Sequence, residues 1–201
     1  MTYPQQDPTN LITLALFLAP PLLLLIWVIA TFNRLVNLRN LIDESWSNVG
    51  TELKRRYELI PNLVETVKGY AAHEKEIFQS IADARARALA TVASVTSDSA
   101  GTQAASENQL TRGIRQLMAV SEAYPDLKAN TNFLQLQSEL VNTEDRIQAA
   151  RRFFNGNIRD YNNLVQSFPS SLVASMGGNR TREYFEIDEA AKSPLAVDYE
   201  K

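Results

Sequence analysis

Hydrophobic and polar positions divide this chain into stretches of different rhythm. From Pro8 to Asn33 no residue is charged, and Leu11 to Phe32 is nearly unbroken Leu, Ile, Val, Ala and Phe. At 1.5 Å per residue those 22 positions extend roughly 33 Å, enough for a hydrocarbon core of about 30 Å. The pattern predicts a transmembrane helix over 11–33, marked by Leu11, Pro20, Pro21, Trp27 and Phe32, behind a short arm at 1–10. Pro20-Pro21 removes two amide donors, so either the span kinks there or the spanning helix starts there. The preceding "MTYPQQDPTN" holds Asp7 and no Lys or Arg. That is unlike the basic start of a cleaved signal peptide, so the span is expected to stay uncleaved.

Beyond Asn33 the apolar steps become three and four. Ile42, Trp46, Val49, Leu53, Tyr57, Ile60, Val64, Val67 and Ala71 form one helical stripe, which resumes at Phe78, Ile81, Ala84, Ala88 and Val92. A periodic run of this length fits a coiled coil or an elongated bundle, with a kink from Pro61 near Tyr57. "SVTSDSAGTQAASENQ" reads as a loop, followed by a helix carrying Leu110, Ile114 and Leu117 that stops at "AYPDLKAN". A last long helix runs from Phe133 to Val165 and ends by Pro169. In the tail, Gly177-Gly178 reads as a flexible joint, followed by a strap with anchors at Tyr184, Phe185, Leu195, Val197 and Tyr199. The predicted fold is all-α: an N-terminal transmembrane helix, an antiparallel bundle of three to four long helices over 34–168, and an extended C-terminal tail over 169–201.

Charge adds an orientation and excludes a partner class. All 20 Lys and Arg lie beyond the span, against 22 of the 23 acids, a formal balance of −2. That is no nucleic-acid face. Arg34 and Arg39 follow the span and no basic residue precedes it, which points to an outer N-terminus and a cytoplasmic body at a bacterial inner membrane. With no cysteine, disulfides, thiolate metal sites and a cysteine nucleophile are out.

Candidate chemistry is sparse. His73 is the single histidine and lacks a second ligand at helical spacing, so a surface or hydrogen-bonding role is expected. Arg55 and Arg56 sit between Glu52 and Glu58. Arg56 falls near the stripe, where it needs a carboxylate such as Glu144 or Asp145. Asn62 follows Pro61, which frees the carbonyl of Tyr57 for an amide side chain or a water. Trp46 and Tyr57 read as core aromatics, and Gly156 as a point of close backbone approach. No nucleophile–base pair, phosphate loop or acid dyad is present, so no catalytic, cofactor or metal residue and no small-molecule substrate is expected.

"SWSNVGTELKRRYELIPNLVETVKGYAAHE", "ARARALA", "AYPDLKANTNFLQLQSELVNTEDRIQAARRFFNGNIRDYNNLVQSFPSSLVA" and "REYFEIDEAAKSPLAVDY" together closely resemble the LemA family of membrane-anchored helical proteins. The resemblance covers about 33–199. It departs at "ASMGGNR", where an aromatic-glycine stretch is expected, and at Pro20-Pro21. It implies a helical bundle on a single-span anchor and supplies no catalytic residues. Its most distinctive motif includes Trp46, Arg55, Arg56, Pro61, Asn62, Tyr70 and His73, assigned here to bundle architecture. One similar protein is associated with membrane-compartment formation. The function expected is therefore a self-associating membrane scaffold, with a homo-oligomer and the lipid bilayer as partners. The alternative is an adaptor recruiting a partner membrane or signalling protein, favoured if Leu59 and Leu63 are exposed.

Overall fold

The computed structural model describes residues 8–186. Among them every regular element is helical: α1 (Pro8–Lys68), α2 (Lys75–Ser94), a 3-10 turn (Ser97–Ser99), α3 (Ala100–Ser121), α4 (Pro125–Lys128), α5 (Thr131–Gln166) and α6 (Ser170–Met176). They form two compact units, one of residues up to Asn40 with Asp160–Thr181, the other of Leu41–Arg159 with residues from Arg182 on.

In the first unit, α1 starts at Pro8, where a fixed φ and a missing N–H suit an opening turn. It continues through Pro20 and Pro21, so the spanning helix does not begin there. Residues 1–7 of the expected arm lie outside the described residues. The large apolar side chains from Leu16 to Ile29 are exposed, and burial begins with Thr31 and Leu35. The tail is not extended throughout, because α6 buries Ser170, Val173 and Ala174 at helical spacing. Gly177-Gly178 closes that helix instead of acting as a loose joint. Gly178 has φ +67 and its N–H bonds Ser175 O at 3.1 Å, while Asn179 N–H bonds Ala174 O at 2.9 Å. This is the left-handed glycine cap that satisfies the last carbonyls of a helix.

The second unit is a bundle of α1, α2, α3 and α5. Cross-helix pairs fix its register: Arg56 with Glu144 and Ser45 with Asn157 set α1 antiparallel to α5. Thr91 with Ser106 and Arg87 with Gln109 do the same for α2 and α3. The expected stripe shifts by one position near Pro61, since Leu63 is buried while Val64 is only half-buried. The run expected to be helical from Arg34 to Ala93 also breaks after Lys68. Tyr70 N and Ala71 N both bond Val67 O, which tightens the chain into a turn at Gly69. Both arms of that turn bury toward one core, so apolar spacing alone passed straight through it.

The segment 94–109 is not a loop throughout, because α3 begins at Ala100. Its Ala, Ser and Gln residues are small or flexible enough to pack, and Ala100, Gln103, Ala104 and Glu107 are buried. Asn130 opens α5 by accepting Phe133 N–H at 3.0 Å, an N-cap bond that serves an otherwise unpaired first-turn donor. No other backbone comes close at Gly156, where an added Cβ would meet nothing within 4 Å.

Candidate functional site

The motif residues do not converge on one site. Trp46, Arg56 and Tyr70 each brace a different neighbour, whereas Asn62 and His73 are exposed.

Arg56 stands at a core position of α1, between Leu53 and Ile60, with its side chain 0% exposed. A guanidinium there requires carboxylates, and two supply them. Glu144 Oε1 on α5 accepts Nη1 at 2.6 Å, one of the two acids expected. Glu107 on α3 pairs with Nη2 and is itself fully buried. Glu107 also accepts the Tyr57 hydroxyl and the Gln103 amide, and that amide donates to the Tyr57 oxygen at 3.0 Å. Burial pushes the Tyr57 phenol from 10.0 up to about 12, against the pull of Arg56 and of the Gln103 bond. Arg151, close enough to feel Glu144, has its guanidinium pushed down chiefly by burial and then by Arg152, while Glu144 and Glu186 act the other way. One cation thus draws α1, α3 and α5 onto a shared polar centre. Arg56 Nε and Gln103 Oε1 have no hydrogen-bond partner among the described residues.

Pro61 leaves the Tyr57 carbonyl without its helical donor. Asn62 does not fill that role. It is exposed, and Arg85 on α2 donates Nε to Tyr57 O at 2.7 Å. Tyr70, in the turn after α1, accepts Asn130 Nδ2 at 2.9 Å and so reaches the residue that caps α5. His73 is exposed, and no metal-sized group of His, Asp and Glu occurs among the described residues.

Trp46 organises an aromatic cluster. Its ring lies 5.1 Å from Phe154 and 5.6 Å from Phe185, the latter edge-on at 86°. Phe185 is fully buried, and Asn155 brackets its backbone by accepting N–H at 2.9 Å and donating to O at 3.1 Å. Arg182 adds an ion pair to Asp98 at 2.8 Å and one to Asp43 at 3.2 Å. Among the expected anchors, Phe185 is docked and Tyr184 is partly exposed. Leu195, Val197 and Tyr199 lie outside the described residues.

Two open grooves flank this core. One is polar, brings Arg55 and Asn62 beside Glu139 and Arg146 of α5, and has a volume of about 490 Å³. The other runs along Pro61, Lys68, Phe78 and Arg85 between α1 and α2. Neither is lined by Arg56, Glu107 or Tyr57, so the buried charges are not offered to a ligand there. The arrangement can hold helices in register.

Sequence reasoning missed Gln103, Glu107, Arg85, Asn155 and Arg182. For the first two a signal existed: 100, 103, 107, 110, 114 and 117 recur at steps of three and four. The polarity of that segment concealed it.

Residues 45–199 match the sequence profile of the LemA family. Magnetosome protein MamQ 2 of Paramagnetospirillum magneticum is 25% identical over 184 residues, covering 82% of this chain and 68% of that protein. Magnetosome protein MamQ of Magnetospirillum gryphiswaldense is similar to the same extent. Protein LemA of Metamycoplasma hominis is 28% identical over 142 residues, covering 71% of this chain and 63% of its own length.

Proposed function

Because this chain belongs to the LemA family, we propose that it is a non-enzymatic, membrane-anchored structural protein that self-associates and scaffolds or shapes the bilayer. The observation that carries this reading is the surface of α1 in the first unit. It is one helix long and apolar enough to cross a membrane, and its large side chains from Leu16 to Ile29 are exposed. Such a surface needs lipid or a copy of itself. In the second unit the buried charges are consumed in pairing α1, α3 and α5, which supports rigidity over chemistry. The LemA family match and the similarity to magnetosome proteins MamQ support membrane association. Arg34 and Arg39 after the span support an outer N-terminus and a cytoplasmic body at a bacterial inner membrane.

Two measurements test this. Full-length protein should resist alkaline carbonate extraction from membranes, and detergent-solubilised protein should show a mass above the monomer that rises with concentration. A monomer at every concentration removes self-association and scaffolding together. The adaptor alternative counted on Leu59 and Leu63 as free apolar positions, but Leu63 is buried at 2% exposure. Crosslinking in cells separates the readings: self-adducts support the scaffold, and heterologous adducts alone support the adaptor.

A further inference from the structure

The first unit contains an apolar face that the span does not explain. Phe168, Leu172 and Met176 follow one another at steps of four and are 83%, 58% and 86% exposed. That spacing sets Leu172 and Met176 along one side of α6, and Phe168 stands two residues before its first turn. The other side is used: Ser170, Val173 and Ala174 are buried, and a Cβ on Gly177 would lie 3.5 Å from the Phe32 ring of α1. Phe32 is the last apolar residue of the uncharged stretch, and Arg34 follows two residues later. The foot of the apolar helix and α6 therefore touch at the level where the chain turns from apolar to basic. From Phe168 to Asn179 there is no charged residue, and exposed Arg180 comes next.

We propose that α6 is a second membrane contact, with Phe168, Leu172 and Met176 seated in the interfacial layer of the same bilayer that α1 crosses. A helix of seven residues is too short to span, and an apolar face with polar flanks suits the boundary between headgroups and acyl chains. Arg34 and Arg180 are placed to meet anionic headgroups beside it. A bilayer is the occupant indicated because α6 meets α1 at Phe32, where the uncharged stretch ends, which sets its exposed residues at the level of the membrane boundary. Two contacts in place of one also restrict the tilt of α1, since tilting would lift α6 out of the interface.

The inference rests on the anchoring of α1 proposed above, and its test separates the two. The chain has no cysteine, so single-cysteine variants can carry an environment-sensitive fluorophore in the full-length protein reconstituted into vesicles of phosphatidylethanolamine and phosphatidylglycerol. Leu172→Cys and Met176→Cys report on α6. Ile26→Cys reports on the span, and Ser138→Cys, exposed on α5, is the solvated reference. Lipids with a nitroxide high on the acyl chain should quench the α6 labels severalfold more than the label at position 138, with blue-shifted emission. If position 26 is quenched and neither α6 label exceeds position 138, the α6 contact is refuted while the anchor stands. If position 26 is also unquenched, both readings fall. Labels on α6 that are shielded from aqueous iodide yet indifferent to lipid nitroxides mean that protein covers this face, which also overturns the proposal.

Discussion

Replacing Arg56 with leucine removes the cation and keeps an apolar side chain at a core position. The two carboxylates then differ in fate. Glu144 has 27% of its side chain exposed and can take up water, whereas Glu107 has none exposed. The loss therefore falls on Glu107, left charged against Tyr57 and Gln103 with no positive partner. Breaking a buried pair by removing one member costs about 3–5 kcal/mol, a large part of a domain's usual total of about 5–15 kcal/mol. With a urea dependence of about 1–3 kcal/mol per molar, the unfolding midpoint should fall by on the order of 2 M. The assay is a urea titration of the full-length protein in detergent, followed by far-UV circular dichroism. The double variant Arg56→Leu/Glu107→Leu should recover at least half of the loss, because no isolated charge stays buried. The reasoning fails if Arg56→Leu moves stability by less than about 1 kcal/mol, or if the double variant is less stable than the single.

The Tyr57 phenol is held protonated in the fold, so its contribution is intact below about pH 10 and declines as pH rises from about 10 toward about 12. The decline amounts to about 2–3 kcal/mol, and chemical unfolding across that window should show it in the parent and not in Tyr57→Phe. Arg85→Met leaves the Tyr57 carbonyl without a donor and should cost about 1–3 kcal/mol. Adding Pro61→Ala restores a backbone N–H to that carbonyl, so it should rescue Arg85→Met more than it alters the parent; equal effects in both backgrounds would contradict the assignment. Phe185→Ala removes a fully buried ring beside Trp46 at a cost of about 3–5 kcal/mol. Limited proteolysis near Arg182 should accelerate and the Trp46 emission should shift, and an unchanged spectrum argues against docking.

Much of the architecture was legible because it depends on local patterns. An uncharged run of 26 residues over Pro8–Asn33 announces an apolar helix wherever it sits, and steps of three and four announce amphipathic ones. A guanidinium among apolar neighbours announces a need for carboxylates, and Glu144 met it. The turn at Gly69 was not legible, because the helices it joins bury toward the same core. Nor was the start of α3, where the core-facing residues include Gln103 and Glu107 and look like solvent-facing ones until Arg56 and Tyr57 are set opposite them.

By itself the sequence determined the helical class, the apolar leading segment and the presence of a charge needing burial partners, since each follows from spacing and polarity within a few turns. Tertiary structure alone decided which partners answer. Arg85 reaches Tyr57 across 28 positions, Glu107 reaches Tyr57 across 50, and Glu144 reaches Arg56 across 88. Those pairings depend on the register of one helix against another, which no local periodicity specifies.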